Sequence, residues 1–249
     1  MGITVTTLAE RPELIDDVWN MPDSWPEFMD HDPIAWSFFG VLGAAHRDFA
    51  VVATDDESGE IIGHGYSFPF SRALPGREQY PDNGWDQVLM WAASDLRKGV
   101  EPDSVSAVEI SVHAAHQGKG LSGILLAALR DNAKAKGFTE LVAPVRPNGK
   151  HLEPRTPMSE YAFRVREDGL PADAWLRVHV RAGGRIVRVA PASQTFPGSL
   201  EQWRTWTGLP FDASGPVEVP FALLPVHCDV EHGHAVYVEP NVWVVHDLL

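Results

Sequence analysis

His116, Gln117, Gly118, Lys119, Gly120, Leu121, Ser122 and Gly123 form a glycine-rich run between two patterned segments, and its composition is that of a loop that holds phosphate. Glycines let the backbone approach a ligand closely, and the free N–H groups and positive dipole end of a following helix favour phosphate oxygens. Binding of a pyrophosphate-bearing coenzyme is the chemistry such a loop could serve. The flanking segments supply the strand and helix it needs. Val108, Glu109, Ile110, Ser111, Val112 and His113 alternate apolar and polar residues with the period of a half-buried strand. Leu121, Ile124, Leu125, Ala128 and Leu129 recur at helical spacing, Lys134 and Lys136 fall in the last turn, and Gly137 stands where a left-handed cap is expected.

Gly118, Gly120 and Gly123 also spell the G-x-G-x-x-G of dinucleotide-binding loops. There the glycines follow the strand almost directly, and an acidic residue about 20 positions on holds the ribose. In this chain residues 114–117 intervene, and the strand expected over 140–145 runs into Arg146 instead of an acid. The reading this leaves is an NADP-dependent oxidoreductase in which Arg146 meets the 2′-phosphate.

A second pattern fits the same residues more closely. Gln117, Gly118, Lys119, Gly120, Leu121 and Ser122 resemble the Q/R-x-x-G-x-G/A signature of the GNAT acyltransferase superfamily, with Ser122 in place of the final Gly or Ala. Strand, turn, signature, long helix and parallel strand follow in the family's order over 110–145. Residues 175–184 are similar to the family's late helix, and His179 stands four residues before Gly183, where the family usually has a tyrosine. The resemblance implies the GNAT fold, a mixed α+β architecture whose central, mostly antiparallel sheet is flanked by helices. It also implies an N-acetyltransferase that moves an acetyl group from acetyl-CoA to an amine by direct attack.

By the same resemblance, the N–H groups of residues 117–122 hold the coenzyme pyrophosphate. The strand edge at Ile110, Ser111 and Val112 pairs with the pantetheine arm, and the Val112 amide faces the thioester carbonyl. His179 is expected to protonate the departing thiolate, since an imidazole of pKa about 6.5 suits acid–base work at neutral pH; Tyr161 is its backup. Glu109 is the leading base for the acceptor ammonium. Alternation sets it with Ser111 and His113 opposite Ile110 and Val112, and a charge on a central strand needs a polar cavity or a partner. Asp95 and Glu160 stand as substitutes. The competing readings are a structural ion pair for Glu109, a helix-to-loop hydrogen bond for His179, and a catalytically silent acyl-CoA-binding module for the whole.

Composition narrows the partners. The 249 residues carry a net charge of -14, a field that repels nucleic acid and anionic membranes. The start of the chain lacks the basic and apolar segments of a secretion signal, and no apolar run approaches the roughly 20 residues that span a bilayer, so a cytoplasmic location is expected. The single Cys228 excludes an intramolecular disulfide and a cysteine-rich metal site. His227, Cys228, His232, His234 and His246 crowd the C-terminal region without a recognised ligand spacing, and no metal is expected. The expected acceptor is a small-molecule or amino-acid-like amine. The oligomeric state stays open, with a homodimer among the allowed states.

The elements that must position these residues can be read along the chain. A strand is expected over 3–7, a helix over 12–20, a helix from the Asp32 cap and Pro33 through Ala45, and a hairpin of 49–53 and 61–68. A turn-rich insertion carries a helix over 85–98, with Trp85, Leu89, Ala92 and Leu96 on one face; it lies near the acceptor site or simply covers a sheet edge. A loop over 147–157, a helical run at 158–166, a helix over 174–182 and a strand over 185–190 follow. Ser199 and Gln202 form a capping box for a short helix ended by Gly208. Strands are expected at 217–226, 235–238 and 242–246. The chain reads as one domain over 1–249, with a core of about 1–190 and a β-rich extension of about 191–249.

Overall fold

In the computed structural model, which describes residues 2–249, nine strands join in one sheet. They are β1 (Ile3–Thr7), β2 (Ala50–Asp55), β3 (Ile61–Phe70), β4 (Ser104–Val112), β5 (Glu140–Val145), β6 (Gly184–Ser199), β7 (Gly215–Val217), β8 (Val226–Asp229) and β9 (His234–Asp247). Their order is β1-β2-β3-β4-β5-β9-β8-β7, with β6 on the other edge of β9. Only β4 and β5 pair in parallel. The helices are α1 (Ile15–Trp19), α2 (Pro33–Ala45), α3 (Gly84–Lys98), α4 (Leu121–Ala135), α5 (Met158–Tyr161), α6 (Ala174–Arg181) and α7 (Leu200–Thr207). This mixed, mostly antiparallel sheet flanked by helices is the architecture the sequence led us to expect.

Period-two patterning sends alternate side chains of the central strands into two cores. Leu121, Leu125, Leu129 of α4 and Leu176 of α6 pack with Val105, Leu141, Val242 and Val244 on one face. Val18, Phe39, Leu42 and Leu89 from α1, α2 and α3 pack with Tyr66, Phe68, Trp243 and Val245 on the other. A third core of Phe28, Phe196, Trp203 and Tyr237 lies under α7. Gly63 and Gly65 let α4 close down on β3: a Cβ at Gly63 would stand 2.9 Å from Leu125 Cδ1, and one at Gly65 3.1 Å from Leu129 Cδ1. No helix among the described residues is long and apolar enough to cross a membrane.

The alternation expected through β4 is broken once. Tyr66 faces Glu109 but Ser67 faces Ala107, so Val108 is an extra residue, a β-bulge. Val105 and Ala107 before it, and Ile110 and Val112 after it, all turn toward α4, whereas Val108 packs on the α1–α3 side. The bulge therefore keeps Glu109 and Ser111 on the face opposite Ile110 and Val112.

Five other expectations are corrected. The boundary at about residue 190 cuts β6 in two, and β9 lies between β5 and β6, so residues 191–249 hold a central strand. The runs 235–238 and 242–246 belong to that one strand. The stretch 217–226 is not a strand, because Pro220 and Pro225 lack the N–H a ladder needs and the Leu223 N–H is given to the Tyr237 hydroxyl at 2.7 Å. The helix begun at Met158 stops at Tyr161, where Arg166 N–H bonds Leu170 O and Ala172 N–H bonds Arg164 O to turn the chain back. Leu96 is exposed, while Trp85, Leu89 and Ala92 are buried.

Candidate active site

The site begins where two parallel strands part. The β4–β5 ladder holds only Val105 opposite Leu141 and Ser106 opposite Val142. Beyond it β4 runs on to Val112 with a free edge. The His113 N–H donates to Ile62 O at 3.0 Å; alternation along an antiparallel strand then turns the N–H and C=O groups of Ile110 and Val112 away from β3, into the opening. Gln117 Nε2 reaches the Val112 carbonyl at 3.4 Å and Ser24 Oγ at 2.9 Å, closing one end of this edge.

The glycine loop caps the other side. Gly118 and Gly120 have φ of 76° and 82°, left-handed values that side chains with a Cβ resist, and Gly120 begins α4 with no side-chain cap. The backbone N–H groups of Gln117, Gly118, Lys119, Gly120, Leu121 and Ser122 donate to no group among the described residues. A Cβ at Gly118 or Gly120 would meet nothing within 4 Å, so the loop faces open space. Unpaired donors at a helix N-terminus, open to solvent, suit a pyrophosphate. The turn before the loop is fastened from outside: His113 Nε2 and His116 Nε2 lie 3.5 and 3.7 Å from the Glu60 carboxylate, and the Ala114 N–H donates to Pro22 O at 3.2 Å. These two histidines and Glu60 are of metal-ligand type, with ligand atoms within 4.8 Å of one another; as placed, they tie the turn to the β2–β3 hairpin.

Glu109 sits across the sheet from the loop. Its Oε1 lies 3.0 Å from Nε2 of buried His64, and its side chain keeps 25% of its exposure. Tyr66 lies beside this pair, its phenol pushed up by burial and by the Glu109 charge. The indole N–H of Trp85 donates to the Val108 carbonyl at 2.8 Å, anchoring α3 to the bulge next to Glu109. Of the two placements open to the insertion, the structure puts α3 over the sheet face at this point. A carboxylate hydrogen-bonded to imidazole and open on one side can accept a proton.

His179 is elsewhere. It is 2% exposed, its Nδ1 is 2.9 Å from His246 Nε2, and the Trp175 ring stands edge-on to it at 4.5 Å. Burial, reinforced by His246, pushes its pKa down to about 3. A neutral ring sealed in the interior has no proton to offer a thiolate at neutral pH, which corrects the expectation of an acid there. The helix histidine turned inward because its neighbours on that face, Leu176 among them, are core residues. Tyr161 does not replace it, since its hydroxyl donates to Asp173 Oδ2 at 3.0 Å. Asp95 is clamped by Arg77 at 2.6 and 2.9 Å, and Glu160 pairs with Arg164 at the surface.

A group of buried acids escaped the sequence reading. Asp32 and Glu239 are 0% exposed and Asp86 5%. Asp32 Oδ1 caps α2 through the Ile34 and Ala35 N–H groups at 2.7 and 3.2 Å, while Oδ2 accepts from Gln194 Nε2 at 2.9 Å. Glu239 accepts from Arg146 Nε at 2.9 Å, from the Tyr237 hydroxyl at 2.9 Å and from Asn241 Nδ2 at 3.2 Å. Asp86 faces Asp32 and the Thr195 N–H, its Oδ1 has no partner among the described residues, and burial followed by the Asp32 charge pushes its pKa up to about 9. Asp32 was visible in the sequence only as a helix cap; nothing local marks Asp86 or Glu239. Arg146, spent on Glu239 and on Phe221 O at 2.6 Å, is not free for a 2′-phosphate. Its guanidinium also lies 5.8 Å from the Trp25 ring, so residues 22–25 reach from the glycine-loop turn to the end of β5.

Comparison with known proteins bears on the family and the fold. Residues 12–152, more than half of the chain, match the model of the acetyltransferase (GNAT) family. The arginine N-acetyltransferase AvaD of Aspergillus versicolor is 32% identical, over 99% of this chain and 94% of its own length. The solved loading GNATL domain of CurA from Lyngbya majuscula is similar with a TM-score of 0.62 at 16% identity, covering 100% of this chain and 98% of that one. The GphF GNAT-like decarboxylase in complex with isobutyryl-CoA gives 0.53 at 14% identity, covering 100% of each chain. At such identities these two structures speak for the fold alone. The family match and the relative decide against an oxidoreductase and against a silent module: the chain belongs to the acetyltransferase (GNAT) family and is an acetyl-CoA-dependent N-acetyltransferase.

Proposed function

We propose that the acceptor is the α-amine of a basic amino acid of the arginine class, and that Glu109 receives its proton. The observation that carries this reading is the Glu109–His64 pair, half-open beside the parted edge of β4. The 32% identity to an arginine N-acetyltransferase supports the acceptor class. A guanidinium stays protonated at any working pH, so the α-amine is the nitrogen that attacks.

Each step falls to residues of this chain. The N–H groups of Gln117, Gly118, Lys119, Gly120, Leu121 and Ser122 hold the coenzyme pyrophosphate, and the edge at Ile110, Ser111 and Val112 aligns the pantetheine arm as an added strand. Glu109 takes one proton from the ammonium, and His64 holds the carboxylate in place. The neutral nitrogen forms a bond to the thioester carbonyl carbon while the Val112 N–H receives the developing oxyanion. Collapse breaks the C–S bond; the thiolate leaves with the second nitrogen proton, and Glu109 returns the first to solvent. His179 is not needed as a proton donor. The lone buried Cys228 and the acidic composition support a cytoplasmic setting.

The test is release of CoA thiol from acetyl-CoA with a panel of amines, with the product mapped by mass spectrometry. Acetylation at the α-nitrogen of arginine is expected, with turnover about 100-fold lower in Glu109→Gln and acetyl-CoA affinity retained. Turnover unchanged in that variant would remove Glu109 from the role of base, and thiol release with none of the basic amino acids would overturn the acceptor class.

A further inference from the structure

We propose that Asp32 and Asp86 form a subsite for a planar cation, and that this subsite holds the guanidinium of the acceptor while its α-amine lies at Glu109. The inference rests on the amine-acceptor reading above and adds the group that selects among amines.

The charge balance of the buried acids is the starting point. Three carboxylates, Asp32, Asp86 and Glu239, are buried in one neighbourhood, and the one cation among their hydrogen-bond partners, Arg146, is spent on Glu239. Glu239 is further satisfied by Tyr237 and Asn241. Asp32 has three donors, all neutral amides. Asp86 alone is left with an oxygen that nothing donates to, although the residue is 5% exposed. The Thr195 N–H meets the Asp86 carboxyl but no cation does, and a buried carboxylate without a countercharge is unfavourable unless something else supplies one. A guanidinium presents five N–H groups in a rigid fork and is the side-chain cation best matched to carboxylates.

Placement connects the pair to the chemistry. Asp86 follows Trp85, whose indole is bonded to the carbonyl of Val108, the residue before Glu109. Asp86 and Glu109 thus lie on the α1–α3 side of the sheet. Asp32 precedes α2 on that same side, and its Gln194 partner stands on β6 opposite Glu239 of β9. Glu239 in turn holds Arg146, the residue that follows β5 at the parted end of the sheet. Trp85, the neighbour of Asp86, and Arg146, the partner of Glu239, thus tie the acids to both parted strands, at Val108 of β4 and at the end of β5.

The empty pair keeps a proton in place of the cation. Burial and the facing Asp32 hold the Asp86 carboxyl protonated at neutral pH; Glu239 also faces it, with Arg146 beyond. Arrival of a guanidinium would expel that proton, so binding and proton release are linked.

Arginine and citrulline, which carries a neutral ureido group of the same shape, separate the subsite from generic amine binding. In wild-type enzyme we expect kcat/KM for arginine to exceed that for citrulline by at least about 100-fold, with the difference in KM. Asp86→Asn should cut that ratio at least about 10-fold. Calorimetric titration of wild type with arginine at pH 7.5 in buffers of different ionisation enthalpy should show about one proton released, and none in Asp86→Asn. Equal use of both amino acids by wild type, or a ratio unchanged in a folded Asp86→Asn, would overturn the subsite and leave the acetyltransferase reading intact. If neither amino acid is acetylated, the acceptor reading fails, and the titration still decides: binding of arginine over citrulline upholds the subsite, and equal or absent binding of both overturns it. Should Asp86→Asn fail to fold, the wild-type comparison with citrulline and the proton count stand on their own.

Discussion

His179, which the sequence suggested as an acid, is held against His246 in the interior, and the titration of both is a property of the fold. Burial and His246 push His179 down to about 3, and burial together with the Arg130 charge pushes His246 down to about 4. Each is neutral when folded and takes a proton below about pH 6.5 when unfolded. The stability they contribute is therefore complete above that pH and is lost as pH falls from about 6.5 toward 4, by up to about 1.4 kcal/mol per pH unit for each ring. Asp86 acts in the opposite sense over the same window, because its raised carboxyl is protonated when folded and ionised when unfolded. Comparing His179→Leu with wild type isolates one ring. The variant should lose less stability in urea between pH 7 and pH 5, and its turnover at pH 7.5 should stay within a few-fold of wild type. A large fall in turnover with acetyl-CoA affinity intact would return His179 to the reaction as proton donor.

At the scale of elements, the site depends on two departures from regularity. The bulge at Val108 re-aims β4, so that Glu109 looks toward α3 while Val112 stays on the α4 side. The glycine loop then starts α4 in a left-handed conformation, which leaves its N–H groups aimed outward. At Gly120 there is room for a methyl group but no easy backbone geometry. Gly120→Ala should cost about 1–2 kcal/mol of stability through the left-handed strain and should weaken acetyl-CoA binding as the loop relaxes. Thermal denaturation and calorimetry with acetyl-CoA would check both, and a variant equal to wild type in the two measurements would show that the loop geometry does not matter.

For the molecule as a whole, β9 is the element that makes one sheet out of two parts. Its later half pairs with β5 and β6, its first half with β6 and β8, and Val242, Trp243, Val244 and Val245 are buried between the helical layers. Deleting residues 191–249 would strip β5 of its neighbour and expose both cores, so the shortened chain should show no cooperative unfolding transition by circular dichroism. A stable, soluble fragment of residues 1–190 would instead establish an independent core with an appendage. The acidic composition fits the proposed role of the glycine loop, in which backbone donors at one loop, and not a broad basic face, hold a polyanionic coenzyme.

The strand, glycine loop and helix at 108–135, the Asp32 cap of α2 and the capping box at Ser199 and Gln202 follow from the amino-acid sequence itself. Each depends on residues within a turn or two of one another, and periodicity and cap chemistry act over that range. The family resemblance was legible for the same reason, since its signature is contiguous. Only the tertiary structure decided that Glu109 meets His64, that His179 faces inward to His246, that β9 lies between β5 and β6, and that Asp32, Asp86 and Glu239 are buried in one neighbourhood. These pairings join segments far apart in the chain, and they are set by which faces the packed layers bury. Asp86 and Glu239 left no local trace because burial, and the want of a countercharge at Asp86, are properties of the assembled fold.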